Sequence, residues 1–280
     1  MTQRKIKIVA DSASDLREFV GVDFSSAPLK IITSEREYVD DATLDVAMMV
    51  DDLSKYKGRS SSSCPNPGDW LAAFDGYDEI YCVTITSGLS GSYNSACAAK
   101  KIYEDEHPDR HVFVLDSLST GPEMAMLCEK ISELVNAGCE YESVCEQMRD
   151  YAAHTGLLFI LASMNNLANN GRVSPIVAKM AGLLGIRAIG KASDKGELEP
   201  LHKVRGEKKA LETIVSELDL QGFNGKKANI AHCLNEQGAQ ELASLIRARY
   251  PDAQISIILC GGLCSFYAEK AGLLVGFEKN

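Results

Sequence analysis

The chain is poor in the features that mark a nucleotide, metal or membrane site. Of its 280 residues only five are histidine and one is tryptophan, and aromatic residues make up 7%. No His, Cys and Asp cluster has zinc spacing. No Gly-Lys-Ser/Thr closes a phosphate-binding loop, and no G-x-G-x-x-G stands in the first strand-to-helix turn. No run of about 18 apolar residues occurs, so no transmembrane span is expected. Arg4, Lys5 and Lys7 interrupt the opening stretch, so no signal peptide is expected before the first strand. Positive charge is in deficit: 29 Lys and Arg against 39 Asp and Glu leave a net charge of -10, which argues against nucleic acid as the main partner. Cysteine is present nine times, an odd number without a repeated CxxC. Several of these cysteines sit in apolar runs and read as reduced core residues, which points to a cytoplasmic protein. The remaining balance, 45% hydrophobic and 24% charged, is that of a soluble globular chain with one large domain or two modest ones.

The first half alternates strand and helix signals. Strands are expected at Ile6 to Ala10, Ala27 to Thr33, Ile80 to Ile85 and His111 to Leu115. Helices are expected after Ser14, with Ser14 or Asp15 as the N-cap, and at Leu44 to Ser54, Asp69 to Phe74, Glu123 to Ala137 and Tyr141 to His154. Repeated βα units predict a parallel sheet covered by helices. Three of the strands end in Asp-Ser or Thr-Ser, and in open α/β sheets ligands bind just beyond the carboxyl ends of the strands. The character changes near the apolar run Leu157 to Ala162. Helices are expected at Met164 to Asn170, Ile176 to Leu184, Lys208 to Leu218 and Glu236 to Tyr250. Short alternating stretches at Arg187 to Lys191, Glu197 to Lys203, Lys227 to Cys233 and Gln254 to Cys260 read as strands. The expected fold is therefore α/β in two domains. An N-terminal parallel-sheet α/β domain spans residues 1–160. A C-terminal α+β domain with a mixed or antiparallel sheet spans residues 161–280.

The most informative stretch is Ile80 to Ala96, IYCVTITSGLSGSYNSA. A buried strand breaks into Thr86-Ser87-Gly88-Leu89-Ser90-Gly91-Ser92 and restarts as a helix, a geometry that aims hydroxyls and the first N–H groups of a helix at a small anion. A plain strand-to-helix turn would also use Gly and Ser. A nucleophile elbow would need glycine where Ser92 stands. A serine-dependent hydrolase using Ser90 would further need a base, for which His154 and His232 are the candidates. A regulator that binds a small acid would use the same pocket. The run Ser60-Ser61-Ser62-Ser63 before Cys64-Pro65-Asn66-Pro67-Gly68 reads as a linker and helix cap or as a second set of hydroxyl donors. Arg172, in Asn170-Gly171-Arg172-Val173-Ser174, suits a carboxylate or phosphate, or a salt bridge between domains.

Together these segments resemble the DegV family of bacterial fatty acid-binding proteins, the lipid-carrying subunits of fatty acid kinase. The resemblance runs in family order through Val9 to Leu16, Ser62 to Gly68, Thr86 to Tyr93, Val114 to Ser117 and Asn166 to Ser174, and continues more weakly through Lys203 to Ala210. It implies a long-chain fatty acid in an apolar tunnel between two domains, with the carboxylate on Ser62 and Ser90. Ser87, Gly91 and Arg172 are secondary candidates for the site or the domain interface. Leu157 to Leu161 and Ile176 to Leu184 are candidate walls. A separate kinase subunit would phosphorylate the bound acid, and the carrier itself would hold no cofactor or metal and catalyse nothing. At roughly 0.8 kcal/mol per methylene, a sixteen-carbon tail could contribute on the order of 10 kcal/mol before ordering costs. Two departures from the family pattern stand out: before the turn Ser62 and Cys64 replace threonine and glutamine, Ser62 keeping the hydroxyl, and near the C-terminus Tyr267 stands at a histidine position with Glu269 and Lys270 in place of loop glycines.

Overall fold

A computed structural model describes residues 4–179 and 185–280. Its first sheet is parallel, and its central strands are buried almost end to end because helices cover both faces. β1 (Ile6–Asp11) ends in a single 3-10 turn, Ser12–Ser14, where a helix was expected. Asp11 caps that turn, and Asp15 ends it with a left-handed φ of 60°. The carboxylate of Asp15 is then committed elsewhere, so the N-cap role expected of it is not taken. The expected strand Ala27 to Thr33 is two strands, β2 (Asp23–Ala27) and β3 (Lys30–Ile32), separated at Pro28, which carries no N–H for a ladder. β4 (Glu37–Val39) and α1 (Val46–Lys55) follow. The serine run that resembles a linker is a short strand, β5 (Ser61–Ser63), paired antiparallel with β3 so that Ser62 stands opposite Ile31. α2 (Pro67–Phe74) begins in a capping box formed by Asn66 and Asp69, with Pro67 pre-set for the first turn.

β6 (Glu79–Thr84) is buried along its full length and gives way through the serine loop to α3 (Ser92–Glu106), whose Ala96, Ala99 and Tyr103 pack at helical spacing. β7 (His111–Asp116), α4 (Pro122–Asn136) and α5 (Tyr141–Ala153) complete this half, with Gly138 at a φ of 78° just past the end of α4. The parallel sheet has the order β2-β1-β6-β7, and β4-β3-β5 is a separate small antiparallel sheet.

β8 (Thr155–Leu161) belongs to the second sheet. The change of sheet therefore falls at Thr155, and residue 160 lies inside this strand. α6 (Asn165–Asn169) and α7 (Pro175–Ala178) follow, and the expected helix Ile176 to Leu184 runs on into residues 180–184, outside those described. The remaining elements are β9 (Ile186–Ala192), β10 (Leu198–Arg205), α8 (Glu207–Leu220), β11 (Phe223–His232), α9 (Glu236–Arg249), β12 (Gln254–Leu259), α10 (Gly262–Ala268) and β13 (Leu273–Lys279). The second sheet is mixed, in the order β10-β9-β8-β13-β11-β12, with one parallel pair, β11 and β12.

Alternation along β8 decides what each face of this sheet does. Leu158 and Ile160 pack with Leu211, Ile214, Leu242 and Ile246 beneath α8 and α9. Leu157, Phe159 and Leu161 look the other way, toward the N-terminal half. α10 comes late in the sequence but packs on the small sheet and α1, where Phe266 joins Ile31, Tyr38 and Met49. The chain thus crosses back to the first half before β13 enters the middle of the second sheet.

Candidate functional site

A cavity of about 300 Å³ lies between the two sheets, at the lower end of the range typical of small-molecule sites. Residues from both halves line it.

The serine loop forms one side. It is splinted at both ends by Asp11, whose Oδ2 accepts from the Ile85 N–H at 2.8 Å and from the Ser92 hydroxyl at 2.6 Å. Burial pushes the Asp11 carboxyl up to about 7 against the opposing effect of these hydrogen bonds. Most of the loop's N–H groups turn inward: Thr86 donates to the Ser119 carbonyl, Leu89 and Ser90 donate to the Thr86 carbonyl, and Gly88 donates to the Thr86 hydroxyl. This differs from the sequence expectation of several N–H groups aimed at an anion. What the loop offers the cavity is the half-buried Ser90 hydroxyl and the backbone of Gly91, whose N–H has no protein partner among the described residues. Ser87 is exposed, outside the cavity lining, with its N–H on Asp116 Oδ1 at 3.1 Å.

The second half clasps this loop at two points. The Thr86 hydroxyl donates to the Gly196 carbonyl in the β9–β10 turn at 2.9 Å. Gly196 has a φ of 70°, and a Cβ there would fall 1.9 Å from Thr86 Oγ1, so only glycine permits the contact. Arg172 Nε donates to the Leu89 carbonyl at 3.3 Å and Nη1 to the Asn170 carbonyl at 2.6 Å. Arg172 lines the cavity with its guanidinium carbon 5.9 Å from the Tyr267 ring centre.

β5 supplies Ser62 and Ser63, with Cys64 following. The Ser62 Oγ lies 2.7 Å from the Tyr267 Oη, so the two hydroxyls share a hydrogen bond across 205 residues of sequence. Tyr267 belongs to α10, which also brings Leu263, Cys264 and Ala268 to the cavity.

Two buried carboxylates from the N-terminal half hold α10 in place. Asp15 Oδ1 accepts from the Gly261 N–H at 2.7 Å, and Asp40 accepts from the Gly262 and Leu263 N–H groups at 2.7 and 2.8 Å. These are the donors a helix leaves unpaired at its start, and negative charge is favoured there. Arg17 balances Asp40 at 3.1 Å. Asp15 Oδ2 has no hydrogen-bond partner among the described residues, and burial pushes the Asp15 carboxyl up to about 7. Past the other end of α10, Glu269 and Ala271 adopt φ angles of 54° and 72°, a conformation that favours glycine, at the loop where the family pattern carries glycines.

Apart from Thr120, the rest of the lining is apolar. Leu29, Ile85 and Leu89 come from the first half, and Leu157, Phe159 and Leu161 from β8, joined by Leu167, Leu198 and Leu274. Only alternate residues of the run Leu157 to Leu161 face the cavity. Ile176, expected in a wall, is 80% exposed instead, because α7 turns that side of its single turn outward.

The expected bases for a serine nucleophile are elsewhere. His154 Nδ1 bonds the Asp150 carbonyl, and His232 Nδ1 accepts from the Asn235 N–H. No histidine lines the cavity among the described residues, and none of their groups of His, Cys, Asp and Glu could hold a metal ion. No helix among them is long and apolar enough to cross a membrane.

Of the residues singled out from sequence, Ser62, Ser90, Gly91 and Arg172 meet in one cavity and Ser87 does not. Tyr267, a departure from the family pattern in the sequence, brings its hydroxyl to Ser62 and into the cavity lining. Its sequence signal is weak: α10 is seven residues long, and its capping carboxylates lie more than 220 residues earlier in the chain.

Known proteins place this architecture. A profile described as an uncharacterised protein of the DegV family matches residues 5–279. A DegV domain-containing protein of Streptococcus pneumoniae is 44% identical over 276 residues, covering 97% of this chain and 98% of its own. Two similar crystal structures each have a TM-score of 0.96. One is a DegV family protein of Eubacterium eligens loaded with heptadecanoic acid, 43% identical and covering 98% of this chain and 100% of its own. The other is the fatty acid kinase B3 protein of Streptococcus pneumoniae loaded with linoleic acid, 44% identical and covering 99% of this chain and 100% of its own. A Thermotoga maritima protein described as revealing fatty acid binding function is 26% identical with a TM-score of 0.86, covering 99% and 100%. With a profile that matches nearly its whole length and relatives this similar end to end, the chain belongs to the DegV family.

Proposed function

We propose that this protein binds one long-chain fatty acid in the cavity between its sheets, with the carboxylate on the Ser62 and Ser90 hydroxyls and the acyl chain along the leucine-lined wall. The observation that carries this reading is the division of the lining. The hydroxyls of Ser62, Ser90 and Tyr267 and the guanidinium of Arg172 line the same cavity, and most of the remaining lining is Leu, Ile, Ala and Phe. A carboxylate needs several donors, whereas an acyl chain needs only displacement of water, so one amphiphilic ligand satisfies both parts. The fatty acids held by the Eubacterium and Streptococcus relatives support the same ligand class.

In this reading the protein is a non-catalytic, cytoplasmic carrier, and its N-terminal and C-terminal domains, divided at the start of β8, close on the ligand. Presentation of the bound acid to a separate kinase subunit extends the reading, supported by the 44% identical fatty acid kinase B3 protein. A hydrolase using Ser90 is less well supported, since the described residues place no histidine in the cavity.

The test is extraction of the purified protein and mass spectrometry of the lipid, followed by titration of the delipidated protein with palmitate or oleate. Copurification of fatty acid, or saturable uptake at one equivalent, is the expected result. Absence of both copurification and uptake would overturn the reading. Hydrolysis of a p-nitrophenyl ester that is lost in Ser90→Ala would favour the hydrolase.

A further inference from the structure

The apolar part of the cavity contains one aromatic ring among the described residues, Phe159, and its position depends on a neighbour without a side chain. Phe159 on β8 stands directly opposite Gly190 on β9 in antiparallel register. Side chains of such a pair leave the sheet on the same face a few ångströms apart. The Phe159 ring takes the space a side chain at 190 would need: a Cβ built on Gly190 would fall 2.4 Å from Phe159 Cζ and 2.8 Å from Cε2. It would also fall 2.5 Å from the Glu199 carbonyl oxygen, so β10 closes over the same spot. On the other flank of Phe159, β13 presents Leu274, itself a cavity residue. At 2% exposure the ring has no route to solvent. It lies back over glycine, and the open direction left to it is into the cavity.

We propose that Phe159, seated over Gly190, is the specificity element that limits the length and shape of the acyl chain. This inference rests on the fatty acid reading above. In a cavity of about 300 Å³ one phenyl ring is a large share of the usable space, so small changes in its seat alter which chains fit. Glycine at 190 keeps the ring withdrawn. A methyl group there would drive it toward the ligand, and a smaller side chain at 159 would extend the cavity toward β9. A ring that served packing alone would affect stability and leave the choice of chain unchanged.

The experiment is competitive displacement of a bound fluorescent fatty acid from the delipidated full chain by saturated acids from dodecanoic to eicosanoic. The proteins compared are the parent, Phe159→Leu and Gly190→Ala. In Phe159→Leu the preferred length moves up, with a gain of about fourfold in affinity for each further methylene that finds room. In Gly190→Ala it moves down by the same logic. Should Gly190→Ala fail to fold, because the Glu199 carbonyl is close, Phe159→Leu decides by itself. A parent that binds fatty acid together with a Phe159→Leu profile unchanged in length overturns this inference and leaves the fatty acid reading intact. A parent that binds no acid of any length overturns both.

Discussion

The Ser62 hydroxyl and the Tyr267 hydroxyl, 2.7 Å apart, join a strand of the first half to a helix from the end of the chain. Either oxygen can donate, so one proton stays between them while the other is free for a ligand. Ser62→Ala and Tyr267→Phe are each expected to weaken fatty acid binding about tenfold, the effect of losing a hydrogen bond to a charged group. Because the residues act as a unit, the double variant should lose much less than the two single losses combined. Calorimetric titration of the four proteins checks this. Additive losses would mean that the pair does not share a ligand.

Ser90→Ala should lower affinity for palmitate by about tenfold to a hundredfold, while affinity for the uncharged methyl ester changes little. The hydroxyl also accepts from the Ser92 N–H at 3.3 Å, so a small loss of stability, below about 1 kcal/mol, should accompany it. Equal losses for acid and ester would show that Ser90 shapes the cavity and does not hold the headgroup.

Asp40 satisfies two buried N–H groups at the start of α10 and pairs with Arg17. Asp40→Ala leaves both donors without a partner and should destabilise the protein by roughly 2–4 kcal/mol. Since α10 carries Tyr267, lipid affinity should fall as well, although Asp40 is absent from the cavity lining. Denaturant unfolding and lipid titration of the same variant test the link. A stability loss with unchanged affinity would break it.

Asp15 faces Asp40, Arg17 and the Cys260 and Cys264 thiols, and burial raises its carboxyl to about 7. An unfolded Asp titrates near 3.9, so between these values the folded protein holds a proton that the unfolded chain has released. The stability this group contributes is complete below about pH 4 and is lost as pH rises to about 7. Asp11 acts in the same direction from the same cause. The melting temperature should therefore fall between pH 5 and pH 7.5 more steeply in the parent than in Asp15→Asn, at about 2–4 °C for each kcal/mol lost. Equal slopes would contradict the assignment. The variant keeps an acceptor for the Gly261 N–H, so its fold should persist.

What was legible in the sequence followed local rules. Ile80 to Ser92 announced a buried strand, a loop and a helix because apolar β-branched residues, Gly and Ser act over a few positions. The α2 cap and the helices beneath the second sheet were legible for the same reason. The Ser61–Ser63 strand was hidden because its partner Ile31 lies some 30 residues away and serine has little preference for strands. Asp15 read as a helix cap, and it is one, but for α10, 246 residues later. β13 sits in the middle of the second sheet, yet its apolar run alone does not tell which strands it joins. Ser62, Ser90 and Arg172, which line one cavity, stand out in the sequence through residue chemistry and family resemblance. Tyr267 needed the fold, because a hydroxyl contact across 205 residues leaves no local pattern.

The central claim is tested most directly by crystallising the protein with stearate and refining the density between the sheets. The account predicts one unbranched feature whose carboxylate oxygens lie within hydrogen-bond distance of Ser62 Oγ and Ser90 Oγ and whose tail runs beside Leu157, Phe159 and Leu161. A carboxylate bound away from both serines, or no lipid density in the cavity under saturating stearate, would contradict it.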